Sequence, residues 1–446
     1  MTWQKYCAKY EVLLYQNSEL AAIRQELFFR LKANKFKAFI KAIFILLKFS
    51  KYLFNSTKIE NKEKYDNVYF IDSSTSANLG TLKPLCQRDK KKTLLIVNTE
   101  VLNSNSFITL KNRNKCINYD KYLKLNIKDI RYIIKKSFYV SRYLEISFYT
   151  VFVLLLRMVI NRNSLQSIFS TIEAKNILTS NDTNMYSSIA INIAKEINLN
   201  NYTLQHGFLT HFYIPTTATN YIVWGQKAKE WFENKKISSK VLSLGTPRLD
   251  KIESIKQNTQ SIKDKFYKKF NIQKSKKIFF YMSHSQAPEF GIELHKKNFE
   301  ALQEVIKDKS YQLVIKLHPS ESQKLFDEVF ISEKENIILL PKEENLYHSI
   351  VSSTICASAY STTLVEAMCF EKPTLQMNLA KIEELPDYSI KEGCVSVQKM
   401  EELILILQQV DFKDEINRQN IYVNSYFDNL GNSAESILRY IGKQND

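Results

Sequence analysis

Glycine and proline are scarce in this chain, at eight residues each in 446. That leaves little room for flexible linkers or for glycine-rich phosphate loops, and neither G-x-G-x-x-G nor G-x-x-x-x-G-K-[ST] occurs. Walker-type and dinucleotide-fingerprint chemistry therefore falls away. The cysteines at 7, 86, 116, 356, 369 and 394 contain no C-x-x-C pair, which argues against a disulfide framework or a structural zinc site and for reduced thiols. No acidic D-x-D pair closes an apolar run, so no metal site is expected. The longest apolar stretch, residues 143–160, is interrupted by Glu145 and Arg157 and is short for a membrane span. It reads as a buried or interfacial helix. The first six residues carry no signal-peptide pattern, and a cytoplasmic location is the expectation.

What the chain does have is enough apolar residue for full cores. At 44% hydrophobic and 24% charged, 446 residues suffice for two or three globular domains. Its formal charge of +17 is unevenly placed. Between 24 and 51 stand Arg24, Arg30, Lys32, Lys35, Lys37, Lys41, Lys48 and Lys51 against Glu26 alone, interleaved with Phe36, Phe39, Ile40, Ile43, Phe44, Leu46, Leu47 and Phe49. A second block, 111–142, sets ten cations against Asp120 and Asp129. Basic, apolar helices of this kind lie on anionic membrane surfaces, at about 1 kcal/mol per cation. The plainer alternative is a solvated helix face packed on its own domain. No nucleic-acid module is present, so nucleic acid is not an expected partner.

From residue 67 the pattern becomes short apolar runs separated by helical stretches. Runs at 67–71, 93–97, 176–179, 201–204, 221–224 and 241–244 read as strands, with a helix over 183–197. Residues 254–277 are polar and rich in Lys and Gln, and read as an inter-domain connection. A second series follows: strands 278–281, 313–317, 337–340, 354–358 and 373–377, helices 291–307 and 361–370, and a helical tail from 399. Strands alternating with helices mean βαβ units and parallel sheets. The expectation is an α/β chain with a basic helical region over 1–60 and two doubly wound Rossmann-like domains, 61–253 and 254–446, facing a cleft.

The candidate chemistry sits just past predicted strand ends, where open α/β sheets place ligand-handling groups. Gln205-His206-Gly207 offers a histidine suited to general-base work, followed by a glycine that permits close approach. Gln205 is grouped with it. Gly245-Thr246-Pro247-Arg248-Leu249-Asp250 turns the chain out of a strand, and Arg248 and Asp250, with His211, are candidate substrate contacts. Met282-Ser283-His284-Ser285 places Ser283 and His284 where phosphate binds. In Lys316-Leu317-His318-Pro319 the proline ends the strand and fixes the histidine at the sheet edge, where it can stabilise charge on a nucleotide leaving group. Tyr360-Ser361-Thr362-Thr363 opens a helix whose free N–H groups suit phosphate, with Glu366 one turn in for ribose hydroxyls. An ordinary Ser/Thr helix cap is the competing reading of that last motif.

Taken in order, Gln205-His206-Gly207, Tyr221-Ile222-Val223-Trp224-Gly225, Gly245 to Asp250, Lys316 to Pro319 and Tyr360 to Thr363 with Glu366 resemble bacterial GT-B transferases of surface-polysaccharide synthesis. The nearest patterns are CDP-glycerol glycerophosphotransferases, capsule Kdo transferases and polysialyltransferases. The resemblance covers roughly 176–378. It implies His206 as the base, His318 as ligand of the donor phosphates, and Ser361, Thr362 and Thr363 as further donor contacts. Gln205 stands where relatives carry tryptophan or an acid, and Ala359 where the glycerophosphotransferases carry aspartate. The expectation is a metal-independent glycosyltransferase without a cofactor. It would take a sugar or sugar-like unit from a nucleotide sugar, with a CMP- or CDP-linked donor ahead of UDP. The acceptor would be a lipid-linked glycan (capsule, O-antigen or similar), at an anionic membrane surface on the inner face of the bacterial cytoplasmic membrane. The alternatives are a UDP-N-acetylglucosamine 2-epimerase-like enzyme and a non-catalytic polysaccharide-assembly subunit on the same fold.

Overall fold

The computed structural model describes residues 3–16, 18–31, 34–54, 63–75, 77–284, 291–318, 321–330, 337–383, 393–409 and 411–444. The chain forms two compact units, Met1–Asp250 with Asp428–Asp446, and Lys251–Phe427. The first holds seven parallel strands: β1 (Glu63–Ile71), β2 (Thr93–Val97), β3 (Lys115–Asn118), β4 (Ile172–Thr179), β5 (Asn200–Leu204), β6 (Asn220–Val223) and β7 (Lys240–Ser243). Their order is β3-β2-β1-β4-β5-β6-β7. The chain winds outward from β1 to β3, then returns to the other side of β1 and winds outward again. The second unit repeats the plan with β8 (Lys277–Met282), β9 (Tyr311–Lys316), β10 (Ile337–Leu339), β11 (Ile355–Ser358), β12 (Thr374–Met377) and β13 (Val395–Val397), ordered β10-β9-β8-β11-β12-β13 and parallel throughout. Two doubly wound α/β units are what the alternation of strands and helices required.

β3 and β13 were not foreseen. Lys115–Asn118 has one strongly apolar residue, Ile117, and stands at a sheet edge, so hydrophobic patterning is nearly silent there. Residues 254–277 are not a bare connection: the helices Ile252–Gln257 and Thr259–Lys269 fill most of them. Nor is 1–60 a region apart. Tyr6, Tyr10, Leu13, Leu20, Ile23 and Leu27 lie in the same core as Val68, Phe70, Ile96 and Ile177 of the sheet. Tyr6 and Tyr10 hydroxyls donate to the carbonyls of Arg24 and Leu20, each at 2.8 Å, closing these helices on themselves. Helix Phe148–Phe169, which contains most of the apolar stretch, buries every residue from Thr150 to Leu156, so that run packs inside the unit. Among the described residues no helix is long and apolar enough to cross a membrane.

Helix Lys35–Ser50 differs. It meets the unit along the narrow stripe Ala38, Ala42, Ile45 and Phe49, while Phe36, Phe39, Ile40, Ile43, Phe44, Leu46 and Leu47 are exposed. Phe39 stacks edge-on with exposed Tyr149, Tyr149 touches Phe148, and Phe148 packs on exposed Phe138 at 4.6 Å, so the apolar surface runs on to helix Ile127–Leu144.

The last helix, Ser433–Lys443, returns the chain to the first unit, whereas the sequence placed everything after 253 in the second domain. The device that holds it is the Gly245–Asp250 motif. The Asp250 carboxylate accepts the Ser433 and Ala434 backbone N–H groups at 2.8 and 3.0 Å and pairs with Arg88. It thus caps the helix from outside, Asn432 at the cap position making no such bond. A Cβ on Gly245, whose φ is +94°, would overlap the Asp428 carbonyl and the Ser433 side chain. Asp250, expected as a substrate contact, has both carboxylate oxygens engaged as a structural anchor. Asp250→Ala removes two buried acceptor bonds and strands Arg88, so urea unfolding of the first unit is expected to lose about 1–3 kcal/mol. An unchanged midpoint would show that the cap does not hold the helix.

Candidate functional site

In the first unit, the carboxyl ends of β4, β5, β6 and β7 bring Ser180, Gln205, His206, Trp224 and Arg248 to one edge of the sheet. Gln205 is spent on structure. Its Oε1 accepts the Trp224 N–H at 3.0 Å, its Nε2 donates to the Gly207 carbonyl at 2.9 Å, and its own carbonyl takes the Trp224 indole N–H at 2.8 Å. The expectation of a catalytic Gln205 is corrected on that ground: both ends of its amide are occupied in a buried staple between β5 and β6.

His206 is the first side chain beyond that staple. Burial of the ring, opposed by a hydrogen bond to the Ser180 backbone and aided by the Arg248 guanidinium, lowers its pKa to about 4. The imidazole is therefore neutral near pH 7, the form that accepts a proton. Its Nδ1 lies 3.4 Å from the Tyr213 hydroxyl. Arg248 is half-buried beside it and above Gly80. His211 is exposed and stacks on Phe212 at 4.2 Å.

The loop after His206 is fixed by two buried charges that sequence reading missed or misplaced. Asp182 accepts the N–H groups of Thr217 and Ala218 at 2.6 and 2.8 Å, and Arg24 donates from Nη2 to the Pro215 carbonyl at 2.8 Å. Arg24, read as part of the basic surface, is buried to 6% exposure and belongs to this loop. No pattern announces Asp182, since it follows a strand by three residues and its partners are 35 and 36 residues on.

In the second unit the centre is Glu321, also unforeseen. Its buried carboxylate accepts the Ser283 hydroxyl and, at 3.3 Å, the His318 backbone N–H, while the Glu321 N–H donates to the His318 carbonyl at 2.8 Å. The opposite oxygen lies 3.1 Å from Nδ1 of fully buried His295, on helix Gly291–Lys307. The ring of His295 meets that of His284 at 3.8 Å, and His284 meets Tyr360 at 4.1 Å. Ser283, His284, His318 and Tyr360 thus belong to one cluster, organised from below by His295 and Glu321. Burial lowers the His318 pKa, Glu321 opposing and His295 adding to the fall. Ser361 begins the turn before helix Thr363–Cys369: its Oγ accepts from the Thr363 hydroxyl at 2.8 Å and from the Thr363 N–H at 3.3 Å. Thr362 and Thr363 are half-buried there, and Glu366 is buried one turn on. Ser285, Pro319 and Ser320 lie outside the described residues. A signal for Glu321 did exist, an acid three residues after His318, the spacing at which a side chain returns to a turn's backbone N–H.

Two all-parallel doubly wound units with histidines at the strand ends define a two-domain α/β fold of the GT-B type. The chain belongs to the CDP-glycerol:poly(glycerophosphate) glycerophosphotransferase family, whose model matches residues 157–441. In structure it is similar to the wall teichoic acid polymerase TagF, at 14% identity over 92% of this chain and 97% of that one, TM-score 0.55. It is also similar to the UDP-GlcNAc 2-epimerase of Neisseria meningitidis bound to UDP-GlcNAc, at 15% identity over 85% and 100%, TM-score 0.59. The UDP-GlcNAc 2-epimerase of Methanocaldococcus jannaschii follows, at 13% identity over 85% and 100%, TM-score 0.55. At these identities the structures speak for the fold alone. No curated protein matches the chain in sequence.

The depressed His206 pKa has a measurable consequence. Between about pH 6.5 and 4 the unfolded chain holds a proton on this ring that the native ring does not, so native stability falls as pH drops through that window. Histidine-selective NMR is expected to show His206 titrating near 4, and His206→Gln to flatten the stability profile between these limits. Titration of His206 near 6.5 would contradict the described burial.

Proposed function

We propose that the enzyme transfers a sugar-like unit, glycerol phosphate being the leading case, from a CDP-activated donor to a hydroxyl of a lipid-linked surface glycan. The carrying observation is the neutral, strand-end His206 inside the segment that matches the glycerophosphotransferase family. His206 takes the proton of the acceptor hydroxyl as its oxygen bonds to the donor atom that bears the nucleotide. The bond to the nucleotide phosphate breaks, and CMP or CDP leaves. Burial, with a smaller contribution from Arg248, holds the imidazole neutral for this step, and Tyr213 steadies the ring. His318, His284 and the turn at Ser361, Thr362 and Thr363 take the donor phosphates, with Ser283 bracing Glu321 behind them and Glu366 on the ribose. This charge is met by imidazole, hydroxyls and backbone N–H groups, consistent with a chain that has no D-x-D pair at a strand end. The family description names CDP-glycerol, and a TagF variant was soaked with CDPG, which favours cytidine over uridine.

The acceptor reading places the enzyme on the inner face of the cytoplasmic membrane through helix Lys35–Ser50. Each large apolar side chain inserted is worth about 1.5–3 kcal/mol, against about 1 kcal/mol for each cation such as Lys37 or Lys41, so the seven exposed apolar residues dominate.

In a thermal-shift series with CMP, CDP, UDP and GDP, the cytidine nucleotides are expected to stabilise the protein. Stabilisation by UDP alone would favour the 2-epimerase-like reading. His206→Asn is expected to cut kcat by about 10²–10⁴ with donor KM little changed; unchanged turnover would point to the non-catalytic assembly subunit. For the membrane claim, Phe44→Glu with Leu47→Glu should abolish flotation with anionic liposomes, and full retention of binding would remove it.

A further inference from the structure

The first unit holds a cavity of about 440 Å³ that the reading above does not use. It lies at the carboxyl ends of β2 and β3, where Thr99 follows β2 and Asp120 follows β3, with Tyr186 on the helix after β4. This is beside the β1/β4 boundary, where the winding reverses and loops diverge to leave a crevice. The volume is within the ~300–1,000 Å³ of small-molecule sites.

We propose that this cavity binds a polyol phosphate, the phosphate-bearing end of the acceptor. The proposal rests on the reading of this unit as the acceptor side. Two cations meet here, Lys48 from the end of helix Lys35–Ser50 and Arg157 from the middle of helix Phe148–Phe169. Arg157 is held in place: its Nη2 donates to the Tyr186 hydroxyl at 2.5 Å, and Nη1 lies 4.0 Å from Glu26. A fixed guanidinium and an exposed ammonium suit one phosphate group. Other groups of the wall suit hydroxyls instead: the carboxylate of Asp120, which already accepts the Thr99 N–H at 2.7 Å, and the neutral amide of buried Asn161. A purely anionic ligand would not call for that carboxylate, whereas a polyol that carries phosphate uses both halves. Ile45 and Phe49 also line it, and they belong to the helix whose outer face is exposed and apolar. A ligand tethered to a lipid therefore reaches the cavity along the surface that would rest on that lipid.

Glycerol phosphate carries this chemistry both at the end of a lipid-linked acceptor and in the headgroup of phosphatidylglycerol. The probe is sn-glycerol 3-phosphate, titrated by NMR or calorimetry into the full chain as wild type, Lys48→Glu and Arg157→Lys, each checked for native circular dichroism. Saturable binding by wild type, weakened about tenfold or more in Lys48→Glu, is the expected result, the size of one lost charge-assisted contact. In the transfer assay the same variant should raise the acceptor KM about tenfold, leaving kcat and donor KM within about twofold. Phosphatidylglycerol vesicles that compete with the probe, where phosphatidylcholine vesicles do not, assign the site to a lipid headgroup; failure to compete assigns it to the acceptor end. No binding by wild type, or equal affinity in all three proteins, overturns the proposal. The binding arm needs no turnover. An active His206→Asn enzyme together with probe binding lost in Lys48→Glu would sink the assignment of the base and leave this site standing.

Discussion

An all-parallel sheet covered on both faces has one place for polar chemistry, its carboxyl edge, and both units of this enzyme obey that constraint. β11 and β12 are buried at every residue, and β5 and β8 at all but their first. Side chains along such strands pack against helices and cannot meet a substrate. Polar side chains return two positions past the strand, with His206 after β5, His284 after β8 and His318 after β9. Site positions are thus a consequence of topology, and the side chains at those positions decide the chemistry.

A loop that leaves a buried sheet carries backbone N–H groups into the protein, and each one left unpaired costs about 1–3 kcal/mol. Three buried carboxylates meet that cost at three loops. Asp182 takes Thr217 and Ala218, Asp250 takes Ser433 and Ala434, and Glu321 takes His318. In each case the acid stabilises a segment that either carries a candidate residue or returns the chain to its unit. The rigidity this gives is what a reaction needs from residues that must hold a proton acceptor or a phosphate ligand in one orientation.

Much of this was legible in the sequence because strands buried on both faces read as plain apolar runs, and because a polar motif directly after such a run has few other places to be. The placement of His206, His284 and His318 just past strand ends was legible that way. What failed had a common cause. The side chain of Gln205 looks as available as that of His206 until the indole of Trp224 is seen against it, and Asp250 looks like a ligand contact until the helix 183 residues later is seen to use it. Arg24 counted as one more surface cation, since nothing local says that a carbonyl 191 residues away will bury it. His295 sits on an ordinary amphipathic helix, and only the fold sets its ring against His284 and its Nδ1 near Glu321. Patterns report neighbours along the chain; the acids and cations that hold the site are neighbours only in space.

The account stands on one division of labour, an acceptor-side base on the first unit and a donor-phosphate site on the second. A structure determined with CDP bound tests it most directly. The account predicts the diphosphate beside His318 and the turn at Ser361, Thr362 and Thr363, with the ribose toward Glu366. Nucleotide bound instead at the strand ends of the seven-stranded sheet, beside His206 and Arg248, would contradict it.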